Sequence, residues 1–459
     1  MKRTVFASTL DDYLRLGMKA GTNFDAIRRE ISYKGRTGVL YFLSTLTSAM
    51  QVMGIVESVV LTRRVRRTDE EIYVGPVAYE DDFKTILKLC LSGVSCLILD
   101  DFETAVMIET REYPTRSISE PTTEKTIRGS KDGFNESINA NIGLLRRRVR
   151  DKNLTVKLYS VGSKSKTDVA LIYLDGVVSE KVRLELDKKL SDLDLESLVM
   201  SDRALEEVIF EQKFTPFPLA RYTERPDVAA IELYKGKAVI MVDTSASVIV
   251  TPTSIFDHAH HVEEYRESPL AGSFLRIIRG LAIFLSVFLL PLWLALIKET
   301  DINNYFVLMP SKETTIPILV QILLAEFFME MVRIAIVHTP NELTSAISMV
   351  SAIILGSVSI ELEIFLPEIL VYVSFEAIAS FATPSYELSQ ANRLVKYYLL
   401  FLTALFGRVG FLLGFVSVFT YLAGVKVLGV PYLYPFIPFD LKNAAEMFYR
   451  RSGSDKKIL

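Results

Sequence analysis

FLRIIRGLAIFLSVFLLPLWLALI, residues 274–297, is the stretch of this sequence that decides the fold. Its only charged residues, Arg276 and Arg279, lie near its start. About 20 consecutive apolar residues are enough for a helix to cross the roughly 30 Å hydrocarbon core of a bilayer. The sequence therefore predicts a membrane protein whose charged first 270 or so residues form a large aqueous region.

Further apolar stretches follow the first, and they are not equivalent. The next one carries Glu326, Glu330 and Arg333, whose spacings of four and three residues place them on one face of a helix. A charge in the middle of a bilayer is costly unless it faces protein or water. We therefore predict that this helix is interfacial or lines an internal cavity. The predicted stretches are residues 274–297, 315–337, 343–365, 366–386 and 394–425.

Basic residues set the predicted orientation of the membrane half. Arg276 and Arg279 lie at the entry of the first stretch, and lysines and arginines recur in residues 442–457. Because such residues accumulate on the cytoplasmic side, both ends of the membrane half are predicted to lie there, together with the aqueous half. Four full spans plus one interfacial or re-entrant helix, residues 315–337, fit this even number of crossings best. The candidate helix breaks are Pro291, Pro317 and Pro384.

Acidic residues recur in the later apolar stretches. Glu361, Glu363 and Glu368 surround Pro367, which is typical of a short interfacial turn. Glu376, like Glu330, has apolar residues on both sides. Carboxylates that face a shared lumen attract cations and set selectivity. The predicted candidates for an ion pathway are Glu326, Glu330, Arg333 and Glu376.

Two sequence periods alternate in the aqueous half, which is typical of α/β or α+β domains. Runs rich in Val, Ile, Tyr and Thr predict strands at 38–47, 95–101, 104–113, 156–163, 168–176 and 237–252. Helices are predicted at 46–65, 81–91, 133–149, 179–190 and 202–209. The predicted fold class is an α/β (α+β) aqueous region of two subdomains, followed by an all-α multi-span membrane domain. The predicted units are residues 1–125, 126–268, 269–428 and 429–459, the last being a cytoplasmic tail.

Residues that carry chemistry in enzymes form no recognisable motif here. Walker, GxGxxG, nucleophile and zinc-protease motifs are absent from the sequence, so we predict no catalytic activity and no cofactor. A formal net charge of -3 argues against a nucleic-acid partner. His258, His260 and His261 precede the first span but complete no convincing ligand set, so no metal site is predicted. The two cysteines, Cys90 and Cys96, are predicted to be reduced and buried.

The densest polar segment of the aqueous half is EPTTEKTIRGSKDGFNESINANIGLLRRRVR, residues 120–150. Its arginines fall in the last turns of a predicted helix, where cations complement the helix dipole. The interaction with the helix dipole is enough to explain why the arginines occupy these positions. The additional mixture of Glu, Arg and Gly favours a junction between subdomains or subunits.

Five blocks occur in a definite order along the chain. They are residues 120–150, PFPLARYTERPDVAAIELYKGKAVIMVD (216–243), EEYRESPLAGSFLRIIRGLAIFLS (263–286), IASFATPSYELSQANRLVKY (378–397) and VPYLYPFIPF (430–439). In this order they resemble the signature blocks of A-type subunits in the GerA family of bacterial spore germination proteins. Within the family, HTPNELTSAISMV, FATPSYELSQANRLVK and PYLYPFIPF look closer to the stage V sporulation protein AF branch than to nutrient receptor A subunits.

This resemblance implies a location and partners. The aqueous region would face the spore core, and the spans would lie in the spore inner membrane. The family also implies a ring-like homo-oligomer acting as an ion channel, and further germination membrane proteins as partners. The alternatives are a nutrient receptor A subunit and a non-conducting scaffold. The matched blocks give as junction residues Glu120, Glu124, Arg128, Gly129, Arg146, Arg147 and Arg148, and as a second motif Tyr222, Glu224, Arg225, Pro226 and Asp227.

Overall fold

The structure is a computed structural model. It describes residues 3–33, 36–61, 76–113, 124, 126, 128–212, 214–297, 310, 316–338, 349–350 and 353–450. Glu120 and most of residues 114–127 lie outside this described part.

The first aqueous subdomain is a five-stranded antiparallel sheet with helices on both faces. Its strand order is β1-β2-β4-β5-β3. Helices α1 and α3 cover one face around Leu10, Tyr41 and Cys96, and α2 covers the other around Leu40 and Val106. The elements are α1 (Val5–Gly17), β1 (Ala26–Tyr33), β2 (Arg36–Leu43), α2 (Ala49–Leu61), β3 (Val77–Glu80), α3 (Phe83–Leu91), β4 (Ser95–Leu99) and β5 (Ala105–Ile108).

The second aqueous subdomain repeats this design. Its sheet has the order β6-β7-β9-β10-β8, again with every pairing antiparallel. Helices α4 and α7 pack on one face, and α5 and α6 on the other. The elements are α4 (Ile138–Arg148), β6 (Leu154–Val161), β7 (Thr167–Leu174), α5 (Glu180–Ser191), α6 (Ser201–Ile209), β8 (Arg221–Thr223), α7 (Pro226–Tyr234), β9 (Ala238–Val242) and β10 (Val248–Thr251).

The predicted α+β class of the aqueous half is confirmed by these two sheets. Cys90 and Cys96 are both buried and form no disulfide, as predicted. Three strands that the sequence did not predict, β1, β3 and β8, all lie at sheet edges. Edge strands are half solvated and carry charges that discourage further pairing. The charged sequence AIRREISY of β1 therefore lacks the apolar pattern of a central strand.

Among the described residues after 254, the regular elements are helices and one two-stranded ribbon. A 3-10 turn (Ile255–Ala259) and α8 (Glu263–Arg266) lead into α9 (Pro269–Ile297), which continues through Pro291. The predicted break at Pro291 is therefore wrong, whereas Pro317 and Pro384 lie just outside helices. The remaining elements are α10 (Ile318–His338), a π-helical turn (Ile354–Val358) continued by Ser359–Glu361, α11 (Pro367–Phe381), α12 (Tyr386–Gly424), β11 (Lys426–Val427), β12 (Val430–Pro431) and α13 (Leu441–Phe448).

Helix α12 is folded back on itself. Gly407 has φ 61° and ψ -138°, which interrupts the helix. The Tyr398 hydroxyl lies 2.9 Å from Ser417 Oγ, although 19 residues of straight helix would separate them by about 28 Å. A side chain at Gly414 would touch Leu399 across the gap. The predicted single stretch 394–425 is thus a helical hairpin whose turn requires a residue without a Cβ.

Among the described residues of this region, two helices, α9 and α12, are long and apolar enough to cross a membrane. Both ends of the α12 hairpin return to the second aqueous subdomain. Leu388 near its start and Leu422 near its end share one core with Leu171, Ile240 and other residues of the β7-β9 sheet. The Tyr432 hydroxyl, beyond the hairpin, donates to the Pro218 carbonyl at 2.7 Å. The aqueous and helical halves are therefore joined by continuous packing.

Candidate functional site

A buried ion-pair cluster lies among α10, α11 and α12. The Lys396 ammonium is 2.6 Å from Glu326 Oε2 and 2.8 Å from Glu376 Oε1. All three side chains are nearly inaccessible, between 1% and 5% exposed. One cation on α12 thus holds a carboxylate from each of the two neighbouring helices.

A second part of the same cluster lies one helical turn along α10. Glu330 accepts hydrogen bonds from Arg393 at 2.7 and 2.8 Å and from Arg333 at 3.0 Å. Arg333 also donates to the Ser380 hydroxyl at 3.1 Å. The Glu330 side chain is 27% exposed, so it reaches the outside of the helix group, unlike Glu326 and Glu376.

Arg333 is the one base predicted from the sequence beside the acidic residues of the membrane half, and the cluster supplies two more. Three carboxylates meet three cations within the described residues, so the cluster as a whole is neutral. The sequence reasoning missed Arg393 and Lys396, although their spacing of three residues places both on one face of α12. Glu361 and Glu363 lie apart from it, exposed around the turn that precedes Pro367 at the start of α11.

The two aqueous subdomains meet at a buried ion pair. The Arg146 guanidinium of α4 donates to both carboxylate oxygens of Asp25, at 2.9 and 2.7 Å, with side chains 2% and 0% exposed. Beside it, Asn23 bridges the Met18 carbonyl and the backbone of Leu154 and Val156. Such an arrangement fixes the orientation of the first subdomain on β6 because every donor and acceptor in it is directional.

The other predicted junction arginines have different partners. Arg147 lies over the Tyr113 ring, 5.0 Å from its centroid, and so also contacts the first subdomain. Arg148 binds Asp132 at 2.6 Å and Ser130 at 2.7 Å, which ties α4 to the loop before it. Arg128 is exposed and makes no ion pair with any described residue.

The predicted second motif, residues 222–227, contacts the predicted first block, residues 120–150. Arg225 is fully buried and donates to the carbonyls of Glu124 and Ser130, at 3.1 and 2.9 Å, and to Asp227 at 3.0 and 2.9 Å. Burial raises the pKa of Asp227, but the guanidinium of Arg225 outweighs this effect and holds the pKa below its usual value. Arg225 thereby joins the two blocks that the sequence separates by about 100 residues.

Gly129 has a steric role in this junction. Its φ is +106°, and a Cβ there would lie 1.2 Å from Nη1 of Arg266. Arg266 itself pairs with Asp227 at 2.5 Å. Only glycine leaves room for this guanidinium to reach the junction from α8.

Glu264 connects the aqueous half to the base of α9. This fully buried carboxylate accepts from Arg276 at 2.9 Å and pairs with Arg279, the two arginines at the entry of the first span. Arg276 also donates to the Glu446 carbonyl of α13 at 2.7 Å. A single buried acid therefore links α8, α9 and, through Arg276, the C-terminal helix.

A cavity of about 520 Å³ lies between the second subdomain and the turn that joins α11 to α12. Tyr222, Glu224 and His258 line one side, and residues 384–387 line the other. His258 is 2% exposed and neither ring nitrogen has a hydrogen-bond partner among the described residues. Burial lowers its pKa to about 3, so the ring is neutral at pH 7. Within the described residues, no group of three or more His, Cys, Asp or Glu side chains could hold a metal.

Comparison with known proteins decides the family. A family model for the Bacillus/Clostridium GerA spore germination protein matches residues 14–457. The chain belongs to the GerA family. It is 38% identical to stage V sporulation protein AF of Bacillus subtilis (strain 168), covering 98% of this chain and 93% of that protein. It is 28% identical to spore germination protein KA of the same organism, covering 94% of this chain and 82% of that protein.

A solved structure also resembles the aqueous half of this GerA family member. It is the N-terminal domain of the A subunit of the Bacillus megaterium spore germinant receptor GerK3. The identity is 23% and the TM-score 0.41, over 55% of this chain and 96% of that one. The family model, the similarity to stage V sporulation protein AF and the two apolar helices together make this chain a membrane-associated germination or sporulation protein of the family, and its resemblance to the AF branch is confirmed.

Mild acid is expected to destabilise the aqueous half through His258. The unfolded chain binds a proton on this ring with a pKa of about 6.5, whereas the folded chain does so only near 3. The contribution of the neutral His258 ring to the free energy of unfolding is therefore fully present above about pH 6.5, and it decreases as the pH is lowered from there. In His258→Leu, the slope of unfolding free energy between about pH 6.5 and 4.5 should be shallower by up to ~1.4 kcal/mol per pH unit. Thermal melting at a series of pH values measures this slope, and a variant with the wild-type slope would contradict the assignment.

Proposed function

We propose that this chain forms an oligomeric ion channel-type complex in the spore inner membrane that releases, or amplifies the release of, monovalent cations during germination. The aqueous subdomains would face the spore core. The observation that carries the proposal is the charged cluster of α10, α11 and α12. Three acids and three bases inside a membrane half are far more than an anchor requires, because each charge is costly there.

The four residues predicted to form an ion pathway fall into two pairs that differ in the exposure of their side chains. Glu326 and Glu376 are buried and paired with Lys396 within one chain. Glu330 and Arg333 are 27% and 19% exposed and lie at the outer side of the cluster. We therefore assign Glu330 and Arg333 to the ion pathway between subunits, and Glu326 and Glu376 to holding its helices together.

The family and the contacts at the base of α9 support the proposed coupling. Relatives of this chain are named as germination proteins and as stage V sporulation protein AF. Arg276 and Arg279 hold the first apolar helix to Glu264, so movement of the aqueous half reaches the membrane half directly. A partner among other germination membrane proteins would supply the signal. No catalytic step and no cofactor are part of the proposal.

Release of potassium from loaded liposomes tests this function. The full chain should release potassium, and Glu330→Gln should slow release by about fivefold, because one unit charge near the path contributes about 1 kcal/mol in a watery environment. Glu363→Gln, at an exposed turn away from the cluster, is the matched control and should release at the wild-type rate. Wild-type release from Glu330→Gln would refute the pathway assignment.

The second candidate is a non-conducting scaffold whose membrane half is only an anchor. The extensive junctions of the aqueous half favour it as an alternative, since they would suit a platform for other germination proteins. A scaffold predicts that liposomes with the folded chain retain potassium as well as empty liposomes do. A nutrient receptor A subunit differs from both in requiring its partner subunits for any release.

A further inference from the structure

A strongly basic groove lies between the two aqueous subdomains, and its lining residues are different from those of the cavity described above. Its volume is about 550 Å³, which is in the range of small-molecule sites. Helix α3 of the first subdomain forms one wall, and the end of α4 with the chain leading to β6 forms the other. The cations that line it are Lys84, Lys88, Arg147, Arg148, Arg150 and Lys152.

Within the described part of the chain, most of this positive charge is not neutralised by carboxylates. Arg148 is paired with Asp132, but the other five cations make no ion pair with any described residue. The one carboxylate in the lining, Asp151, accepts from the Asn153 backbone and so is engaged by its own turn. Since the whole chain has a net charge of -3, this groove is a local reversal of sign rather than a reflection of overall composition.

The arrangement of the cations suits several negative charges at once. Lys84 and Lys88 are four residues apart on α3 and therefore neighbours on one helix face. Arg147 and Arg150 approach from the opposite subdomain, and the Arg147 guanidinium is stacked on Tyr113. A concave wall of one sign concentrates the opposite ion. A monoanion would use one wall only, whereas a longer polyanion would contact both.

We infer that this groove binds a small polyanion carrying several phosphate-type groups, held between α3 and the α4-β6 connection. Arginine guanidinium groups recognise phosphate oxygens in bidentate fashion, and lysines contact them as point charges. The bound ligand would bridge the two subdomains next to the buried Asp25–Arg146 pair and stabilise their relative orientation. This inference is independent of ion conduction.

Calorimetric titration of the full chain in neutral-lipid nanodiscs with inorganic tripolyphosphate tests this inference. At about 0.1 M salt, where screening acts beyond roughly 10 Å, we expect saturable binding that acetate at equal ionic strength does not produce. Lys84→Gln/Lys88→Gln and Arg147→Gln/Arg150→Gln should each weaken binding by about tenfold or more. Lys84 and Lys88 are exposed, so their replacement leaves the fold intact.

The matched control is Lys181→Gln/Lys188→Gln, which removes the same charge from the exposed face of α5. It should bind tripolyphosphate as the wild type does. Equal weakening in this control would show a non-specific charge effect and overturn the site. Wild-type affinity in both groove variants would overturn it too, as would groove-dependent binding of anionic vesicles without any saturable binding of tripolyphosphate.

Discussion

Lys396→Met is expected to destabilise the membrane half by about 3–5 kcal/mol, the usual cost of removing one partner from a buried ion pair. The substitution keeps the size of the side chain but leaves Glu326 and Glu376 buried without their cation, both at 3% exposure. The midpoint of thermal unfolding of the purified protein in detergent should fall sharply, and less protein should accumulate in the membrane.

Two further variants separate charge from packing in this prediction. Lys442→Met removes an exposed lysine of α13 and should change stability by less than about 0.5 kcal/mol. Adding Glu326→Gln and Glu376→Gln to Lys396→Met should recover most of the loss, because no uncompensated charge stays buried. A Lys396→Met protein as stable as the wild type would show that the cluster does not hold the helices.

Asp25→Asn is expected to have a comparable effect on the aqueous half, again about 3–5 kcal/mol. The amide preserves shape but leaves Arg146, 2% exposed, without a counter-charge. Chemical unfolding followed by circular dichroism of the strands measures the change, and limited proteolysis should show the two subdomains separating before either unfolds.

The control for this prediction is a carboxylate of similar type at the surface. Asp187 pairs with Lys157 while both are more than a quarter exposed, so Asp187→Asn should cost less than about 1 kcal/mol. Equal costs for Asp25→Asn and Asp187→Asn would mean that the junction pair contributes no more than a surface ion pair.

Much of the aqueous fold could be predicted from the sequence because central strands have a continuous apolar pattern. Strands such as SCLIL and AVIMV are buried at every position, and both were predicted. The strand VAYE and the three-residue strand RYT are edge strands with mixed polarity, and no local pattern marks them. Helix α7 begins with Pro226 and Asp227, which favour a helix start, yet its short length hid it among neighbouring strands.

The candidate site was predictable in part. Apolar surroundings identified Glu326, Glu330 and Glu376 as unusual, since a membrane charge needs a reason. Their partners could not be assigned, because Arg393 lies 63 residues after Glu330, and Lys396 lies 70 residues after Glu326 and 20 after Glu376. Likewise, Arg146 belonged to a polar block, but Asp25 carries no local signal that it would be its partner. Long-range ion pairs depend on tertiary packing, which periodicity does not report.

The helical hairpin shows how one residue changes the interpretation of a whole stretch. Residues 394–425 are apolar enough for a span, but a straight helix of that length would measure about 48 Å, which exceeds the hydrocarbon core. Gly407 divides the stretch into two arms that pack on each other. The hairpin brings the start of α12 at Leu388 and its end at Leu422 to the same aqueous subdomain, so it joins that subdomain to the helical half.

Current through the purified full chain in a planar bilayer is the most direct test of the proposed conduction. The account predicts cation-selective current, with a reversal potential that follows the potassium gradient, and a reduced current in Glu330→Gln at equal protein incorporation. If a folded, membrane-inserted chain passes no current, either alone or with the other germination proteins of its membrane, this result would contradict the proposed channel function. It would favour the non-conducting scaffold.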